Sequence, residues 1–475
     1  MINHSYLKLP EIVTIDPYTQ RPRFIRCSAP SKRNVINTIP PEILAEIFLK
    51  LLEDDDIGLQ HSNRPLVSRF CDSDPLLFGH VCSYWRNVAL HTPKLWSRIY
   101  VLKPQRSQVK LTQLWLERAG AHPLDLSIRA FTVDKCDQSA AIDIMSLFIG
   151  RRQYWMNVYF AIDVQTLPIL SQITMSEYSL DILESATLWV SKPSGKLAKQ
   201  ESALDDIWRT IHACKTLRHV DWRVFYPHIQ PEHCPWAQLT GLTLSSEVSF
   251  NQLLAVLSKT PELEFLRVHS LSSTSCSFED SCTPSVITHA HLKRLTITSA
   301  QETGPLFRLL SLPALQTLKI WNRFLKETPR DAISLQGFLE RSQSVQHLMT
   351  FELDDLLIPE GDLRKYLQIP EFRNLNHIKL SVTITDRILH QLTNVNHQGR
   401  HEVLPSLEIL NLSTSLLDIT DGVLSAMVAS RFSPLERRGS LKKICVAVSD
   451  LGPIDRSALS EMLQQGLEGN GGYCI

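Results

Sequence analysis

The chain has 475 residues, 49 Lys+Arg against 49 Asp+Glu, and 43% hydrophobic residues, so it is formally neutral and can bury a core along most of its length. Neutrality excludes the simplest nucleic-acid reading, which needs a basic excess, and no apolar run of about eighteen residues offers a membrane-spanning helix. At roughly 100–200 residues per domain the length implies two to four domains or one long repeat array.

Residues 1–35 are interrupted by Pro22, Pro30 and scattered basic residues and are expected to be an irregular lead-in; no secretory signal is legible there. Residues 36–100 change texture and predict a small helical unit. Its first helix should run over Pro41–Leu52, with Pro41 at the first helical position and Glu42 at the positive helix start. Ile43, Leu44, Ile47, Phe48 and Leu51 then fall on one helical stripe. An acidic loop, Glu53-Asp54-Asp55-Asp56, leads to Asp74, which should cap a second helix starting at Pro75. Leu77, Val81, Trp85 and Val88 would share that helix's inner face, and Thr92-Pro93 opens a last turn carrying Leu95 and Trp96. A core of about sixty-five residues is marginal alone, and large aromatics in so short a unit point to a protein-binding module.

Three ordered segments carry a resemblance. Ile39-Pro40-Pro41-Glu42-Ile43-Leu44, then Val81-Cys82-Ser83-Tyr84-Trp85-Arg86, then Pro93-Lys94-Leu95-Trp96 together resemble an F-box. The continuation over Leu114–Ile128 is similar to F-box proteins of mushroom-forming fungi, in which an insert like the acidic loop is usual. The resemblance implies docking on the Skp-type adaptor of a cullin–RING (SCF) ubiquitin ligase. The adaptor-binding positions it implies are Pro40, Ile43, Leu44, Ile47, Phe48, Val81, Cys82, Trp85, Leu95 and Trp96, with Pro40, Leu44 and Trp85 the costliest to change.

Residues 101–475 repeat the pattern L-x-x-L-x-L. Hits begin at Leu217, Leu239, Leu263, Leu292, Leu315, a poorer Val345-Leu348-Thr350, then Leu375, Leu407 and Leu441, in steps of 22 to 34 residues. Weaker units begin at Trp155 and Leu183. The last two positions of each hit share one face of a strand, and the spacers, such as Phe250–Leu257 and Gly422–Ala429, have helical texture. The expected fold class is α/β: a three-helix F-box followed by an irregular leucine-rich-repeat-like solenoid, a curved parallel sheet with helices outside. Irregularity is expected because the Asn or Cys usual at the ninth position is missing from all nine hits. Residues between the leucines, such as Arg267, His269, Lys319, Trp321, Lys379 and Asn411, would then line the concave side and hold the substrate.

For catalytic signatures the sequence offers only decoys. Ser194-Gly195-Lys196 lacks the earlier glycine of a phosphate loop, and no G-x-S-x-G or H-E-x-x-H occurs. His228, His233 and Cys234 lack a second cysteine pair and predict an ordinary loop rather than a metal site. Ten cysteines without a CxxC pair predict reduced thiols in the cytoplasm or nucleus, including Cys276 and Cys282. Glu352, Asp354 and Asp355 predict a solvated strand end. The expectation is a non-catalytic substrate receptor with no cofactor, metal, nucleic acid or membrane partner; the alternative is a repeat scaffold outside any ligase.

Overall fold

The computed structural model describes residues 12–15, 22–25, 39–53, 75–134, 136–175, 180–191, 198–223, 231–272, 286–323, 330–343, 346–432, 441–447 and 451–469. Asp54–Asp56 of the acidic loop, Asp74, Ser194–Lys196, His228, Cys276 and Cys282 lie outside them, while Glu53 ends the first helix. The chain divides into two compact units, Met1–Trp96 and Ser97–Ile475.

In the first unit, Ile12–Ile15 and Pro22–Ile25 form an antiparallel strand pair with Ile12 opposite Ile25, inside the stretch expected to be irregular. The run Ile12-Val13-Thr14-Ile15 is β-branched throughout, a composition that favours an extended backbone over the helical alternative. Among the described residues three helices follow: α1 (Pro41–Glu53), α2 (Pro75–Val81) and α3 (Ser83–Leu90), then a 3-10 turn over Pro93–Trp96. The single helix expected from Pro75 onward is therefore two. Cys82 interrupts it in an extended conformation (φ −159°, ψ 171°), and its Sγ accepts the Trp85 backbone N–H at 3.4 Å as the N-cap of α3.

The second unit is mixed α/β. Among the described residues thirteen parallel strands lie side by side in sequence order, from Arg98–Leu102 through Leu124–Ala130, Trp155–Ile162 and Ser185–Val190 to Ile409–Asn411 and Lys443–Cys445. Parallel neighbours require crossovers, and those between strands carry helices such as Arg106–Ala119, Phe250–Lys259, Asp386–Thr393 and Val423–Arg431. Successive helices pack on one another, and crossovers between parallel neighbours are right-handed as a rule, which along a sheet in strict sequence order places helices on one face.

The core is a set of ladders running across the strands. One register row contains Leu266, Leu295, Leu318, Phe351 and Ile378; the row two residues on contains Val268, Ile297, Ile320, Leu353 and Leu380. All ten are at most 1% exposed, as are the leading leucines 217, 239, 263, 292, 315, 375, 407 and 441. Full burial of one leucine side chain contributes about 1.5–3 kcal/mol, so this repeated trio dominates the unit's stability.

Two sequence expectations shift. The unit expected at Val345 begins at Leu348, because Phe351, not Leu348, pairs with Leu318 in the strand register. That changes its flanking steps from 30 and 30 to 33 (315 to 348) and 27 (348 to 375). The sheet also starts two strands before Trp155, since Arg98–Leu102 and Leu124–Ala130 belong to it. The first of these crosses the expected boundary at 100/101, and the second unit begins at Ser97. Pro123, not a leucine, stands three residues before Leu126, so the pattern was silent there.

Candidate protein-docking surfaces

The first unit closes around aromatic rings. Phe48 stacks on Phe78 with centroids 4.0 Å apart, and Trp85 tilts against Phe48 at 5.0 Å. Trp96 Nε1 donates to Ala89 O (2.8 Å), and Tyr84 Oη donates to Ile39 O (2.6 Å), which ties the chain entering α1 to α3. Pro40 O accepts the Leu44 N–H and opens α1.

This packing sorts the ten candidate docking residues. Leu44 (1% exposed), Phe48, Leu95 and Trp96 are core. Cys82 and Trp85 are half-buried, one as a helix cap and the other packed on Phe48. Pro40, Ile43 (54%), Ile47 (41%) and Val81 (56%) are exposed. The apolar stripe of α1 is thus wider than its core contact: Leu44 and Phe48 turn inward while Ile43, Ile47 and Leu51, at i, i+4 and i+8, remain in solvent. On α2 the break at Cys82 leaves Leu77 and Val81 exposed instead of aligned with buried Val88. Leu51 and Leu77, with Leu90 (38%) at the end of α3, are apolar surface residues absent from the sequence-derived set.

The second surface is the face of the sheet turned away from the leucine ladders. Arg267, Thr296, Lys319, Glu352, Lys379 and Asn411 occupy successive positions of one register row on it. Trp321 and Asp354 pair in the row two residues on. Arg267 lies between two rings, 5.6 Å from the Phe265 centroid and 5.9 Å from that of Trp321, and Arg223 sits 5.6 Å from Tyr159 and 5.7 Å from Trp189. Arg223 Nε bonds Asp221 Oδ2 (2.8 Å), and Lys319 Nζ bonds Glu352 Oε1 (2.7 Å). Burial pushes the His269 imidazole down to about 4, helped by Arg267 and Arg223, so it is neutral at physiological pH.

The acids at 352–355 are not a solvated strand end. Glu352 pairs with Lys319, Asp354 with Arg323 (3.1 Å), and Asp355 is 1% exposed in an ion pair with Arg330. Their partners lie 25–33 residues away, on neighbouring strands and loops, which a local pattern cannot register.

His233 joins a short relay rather than a metal site. Its Nε2 meets Asp205 Oδ1 at 3.1 Å and its Nδ1 meets His212 Nδ1 at 2.8 Å, while His212 stacks on Trp208. No cluster of three or more His, Cys, Asp or Glu suited to a metal occurs among the described residues. Burial first, then His233, pushes His212 from 6.5 down to about 3. The unfolded chain therefore binds a proton at His212 that the folded chain refuses. The stability this neutral ring supports is complete above 6.5 and is lost as pH falls toward 3. In thermal melts between about pH 4 and 7, His212→Phe should flatten the acid-side loss of stability; equal slopes in parent and variant would remove this role.

Among the described residues no helix is long and apolar enough to cross a membrane, and Cys82, Cys136, Cys214, Cys234 and Cys445 are free thiols. No protein-family model matches the chain, and comparison with curated proteins finds no relative.

Proposed function

We propose that this chain is the substrate-recognition subunit of an SCF-type cullin–RING ubiquitin ligase. Its first unit acts as an F-box that docks on the Skp-type adaptor, and its second unit is an irregular leucine-rich-repeat-like array that holds the protein to be ubiquitinated. The observation that carries this reading is the set of uncovered apolar side chains Ile43, Ile47 and Leu51 on α1 with Leu77 and Val81 on α2. A short unit that already fills its interior with Leu44, Phe48, Leu95 and Trp96 gains nothing from leaving five more large apolar groups in water, unless a partner covers them. The F-box motif segments supply the identity of that partner. In this role the chain does no bond chemistry and needs no cofactor: it raises the effective concentration of a substrate beside the ligase's catalytic subunits, in the cytoplasm or nucleus.

Burial decides which variant tests this. Leu44→Asp would place a charge in the core and unfold the unit, so lost binding would say nothing about docking. Ile47→Asp alters an exposed position and should change stability by no more than about 0.5 kcal/mol, while cutting adaptor capture by at least about tenfold. Full-length folded protein that fails to capture a Skp-type adaptor would sink the proposal; capture unchanged by Ile47→Asp would displace the docking face from α1.

A further inference from the structure

We propose that the helix-free face of the sheet binds an extended acidic peptide segment of a partner protein, with carboxylates of that segment at Arg267 and Arg294 and at Lys379 and Lys443. This names the class of substrate for the reading above and rests on that reading only for its biological setting.

Charge pairing on the face is uneven although the chain is neutral. Asp125 has Arg98 at 3.7 Å, Asp221 has Arg223, Glu352 has Lys319 and Asp354 has Arg323. Glu247 is exposed past a register shift in its strand, away from these pairs. Arg267, Arg294, Lys379 and Lys443 are each half-buried, and none has a carboxylate within ion-pair distance among the described residues. Arg294 rests on the Phe265 ring at 5.3 Å, and Arg267 between Phe265 and Trp321, so rings fix the two guanidiniums in place without neutralising them.

Unmet hydrogen-bonding groups lie in the same places. Arg267 Nε, His269 Nε2 and Thr298 Oγ1 are enclosed without a hydrogen-bond partner, and so is His377 Nε2, near Lys379 and Lys443. Buried polar atoms without partners are uncommon, and these show that hydrogen bonding beside the unpaired cations is incomplete.

The spacing fits a peptide. Arg267 and Lys379 share one register row four strands apart, about 19 Å at the usual strand separation, which an extended chain of about six residues spans. Trp321, beside Arg267, offers a ring to an apolar side chain between the acids. The interspersed carboxylates of Asp221, Glu352 and Asp354 would repel a continuous phosphate backbone, whereas discrete cations suit discrete carboxylates.

The test is fluorescence anisotropy with the full-length chain, without adaptor, and a labelled peptide of about twelve residues carrying two Asp-Glu pairs about six positions apart around a leucine. Comparators are the Asn-Gln version of the peptide and a single-stranded oligonucleotide of similar length. The acidic peptide should bind saturably, and Arg267→Gln, Lys379→Gln and the Asn-Gln peptide should each weaken binding by at least about tenfold. Lys293→Gln, whose parent side chain is already paired with Glu264, should leave binding unchanged. Thermal melts establish folding; if Arg267→Gln lowers the melt, Lys379→Gln carries the comparison alone. Absence of saturable binding up to about 1 mM, equal binding by Lys379→Gln, or tighter binding of the oligonucleotide would overturn the proposal. Because adaptor capture is measured separately, loss of one activity with retention of the other distinguishes failure of this inference from failure of the ligase reading.

Discussion

Arg431→Met is expected to loosen the C-terminal part of the sheet by roughly 3–5 kcal/mol, among the largest single effects in the molecule. Arg431 is 5% exposed and, among the described residues, faces no carboxylate. Its guanidinium is a hub for carbonyls: Nε and Nη2 donate to Leu392 O (2.8 and 2.6 Å), Nη1 to Leu404 O (2.8 Å) and Nη2 to Val403 O (2.6 Å). Leu392 O belongs to the last turn of helix Asp386–Thr393, where carbonyls lack intrahelical donors and a positive charge is favoured. Leu404 has φ +50°, a left-handed conformation that costs a non-glycine residue about 1–2 kcal/mol and that the bond to Arg431 helps hold. Methionine would take these donors from Leu392 O and Val403 O at about 1–3 kcal/mol each, while Leu404 O keeps the Leu407 N–H (3.2 Å), and the loss is offset in part by relief of the buried charge, whose pKa burial lowers to about 10. Arg431→Lys should recover less than half, because an ammonium has no planar fork to reach separate carbonyls. A long parallel array need not melt as one unit, so the measurement is amide hydrogen exchange in Asp386–Thr393 and Val423–Arg431. Exchange there should quicken by at least about a hundredfold; unaltered exchange would mean that the carbonyls find other donors.

How far the sequence reached depended on the range of the interaction. Leucines at the head of each repeat were legible because a period-two strand pattern with a fixed leader is local, and these residues are 0–1% exposed in the fold. The pattern slipped where chemistry substituted for it: Phe351 does the work of a leucine, so the repeat was placed three residues early, and Pro123 hid the start of another. For α1, periodicity identified the face shared by Leu44, Ile47 and Phe48 but not how much of that face the core would use, which depends on α3 and the 3-10 turn packing against it. Cysteine is an uncommon N-cap, so nothing at Cys82 announced the end of α2 and the exposure of Val81. The six residues expected between the repeat leucines were readable from alternation alone, and they do share the face away from the core. The ion pair of Lys319 was not, because its partner Glu352 stands on the neighbouring strand 33 residues off.

Asp355 is where that blindness has the largest energetic consequence. Read locally, it ends a run of acids in water; folded, its carboxylate accepts Arg330 Nε (2.6 Å), Arg330 Nη2 (2.9 Å) and Asn322 Nδ2 (2.7 Å), with the ion pair's side chains 1% and 2% exposed. Three donors from two other segments converge on one carboxylate, so removing it takes the counter-charge from a buried guanidinium and the acceptor from an amide together. Asp355→Ala is expected to cost about 3–5 kcal/mol, and Arg330→Met a similar amount by leaving the carboxylate unpaired. The double replacement Arg330→Met with Asp355→Leu should cost much less than the sum, since two charges leave a site that was expensive to desolvate and apolar groups take their volume. Arg330's backbone N–H bond to Asp362 Oδ2 (2.9 Å) involves neither replaced side chain, so that anchor is common to all four proteins. Hydrogen exchange in helices Ala332–Arg341 and Glu360–Leu367, which flank the pair in sequence, would read the local stability of all four proteins. A double variant as unstable as the two single changes added together would show that Asp355 and Arg330 act independently, and that the pair is not what joins these neighbouring segments.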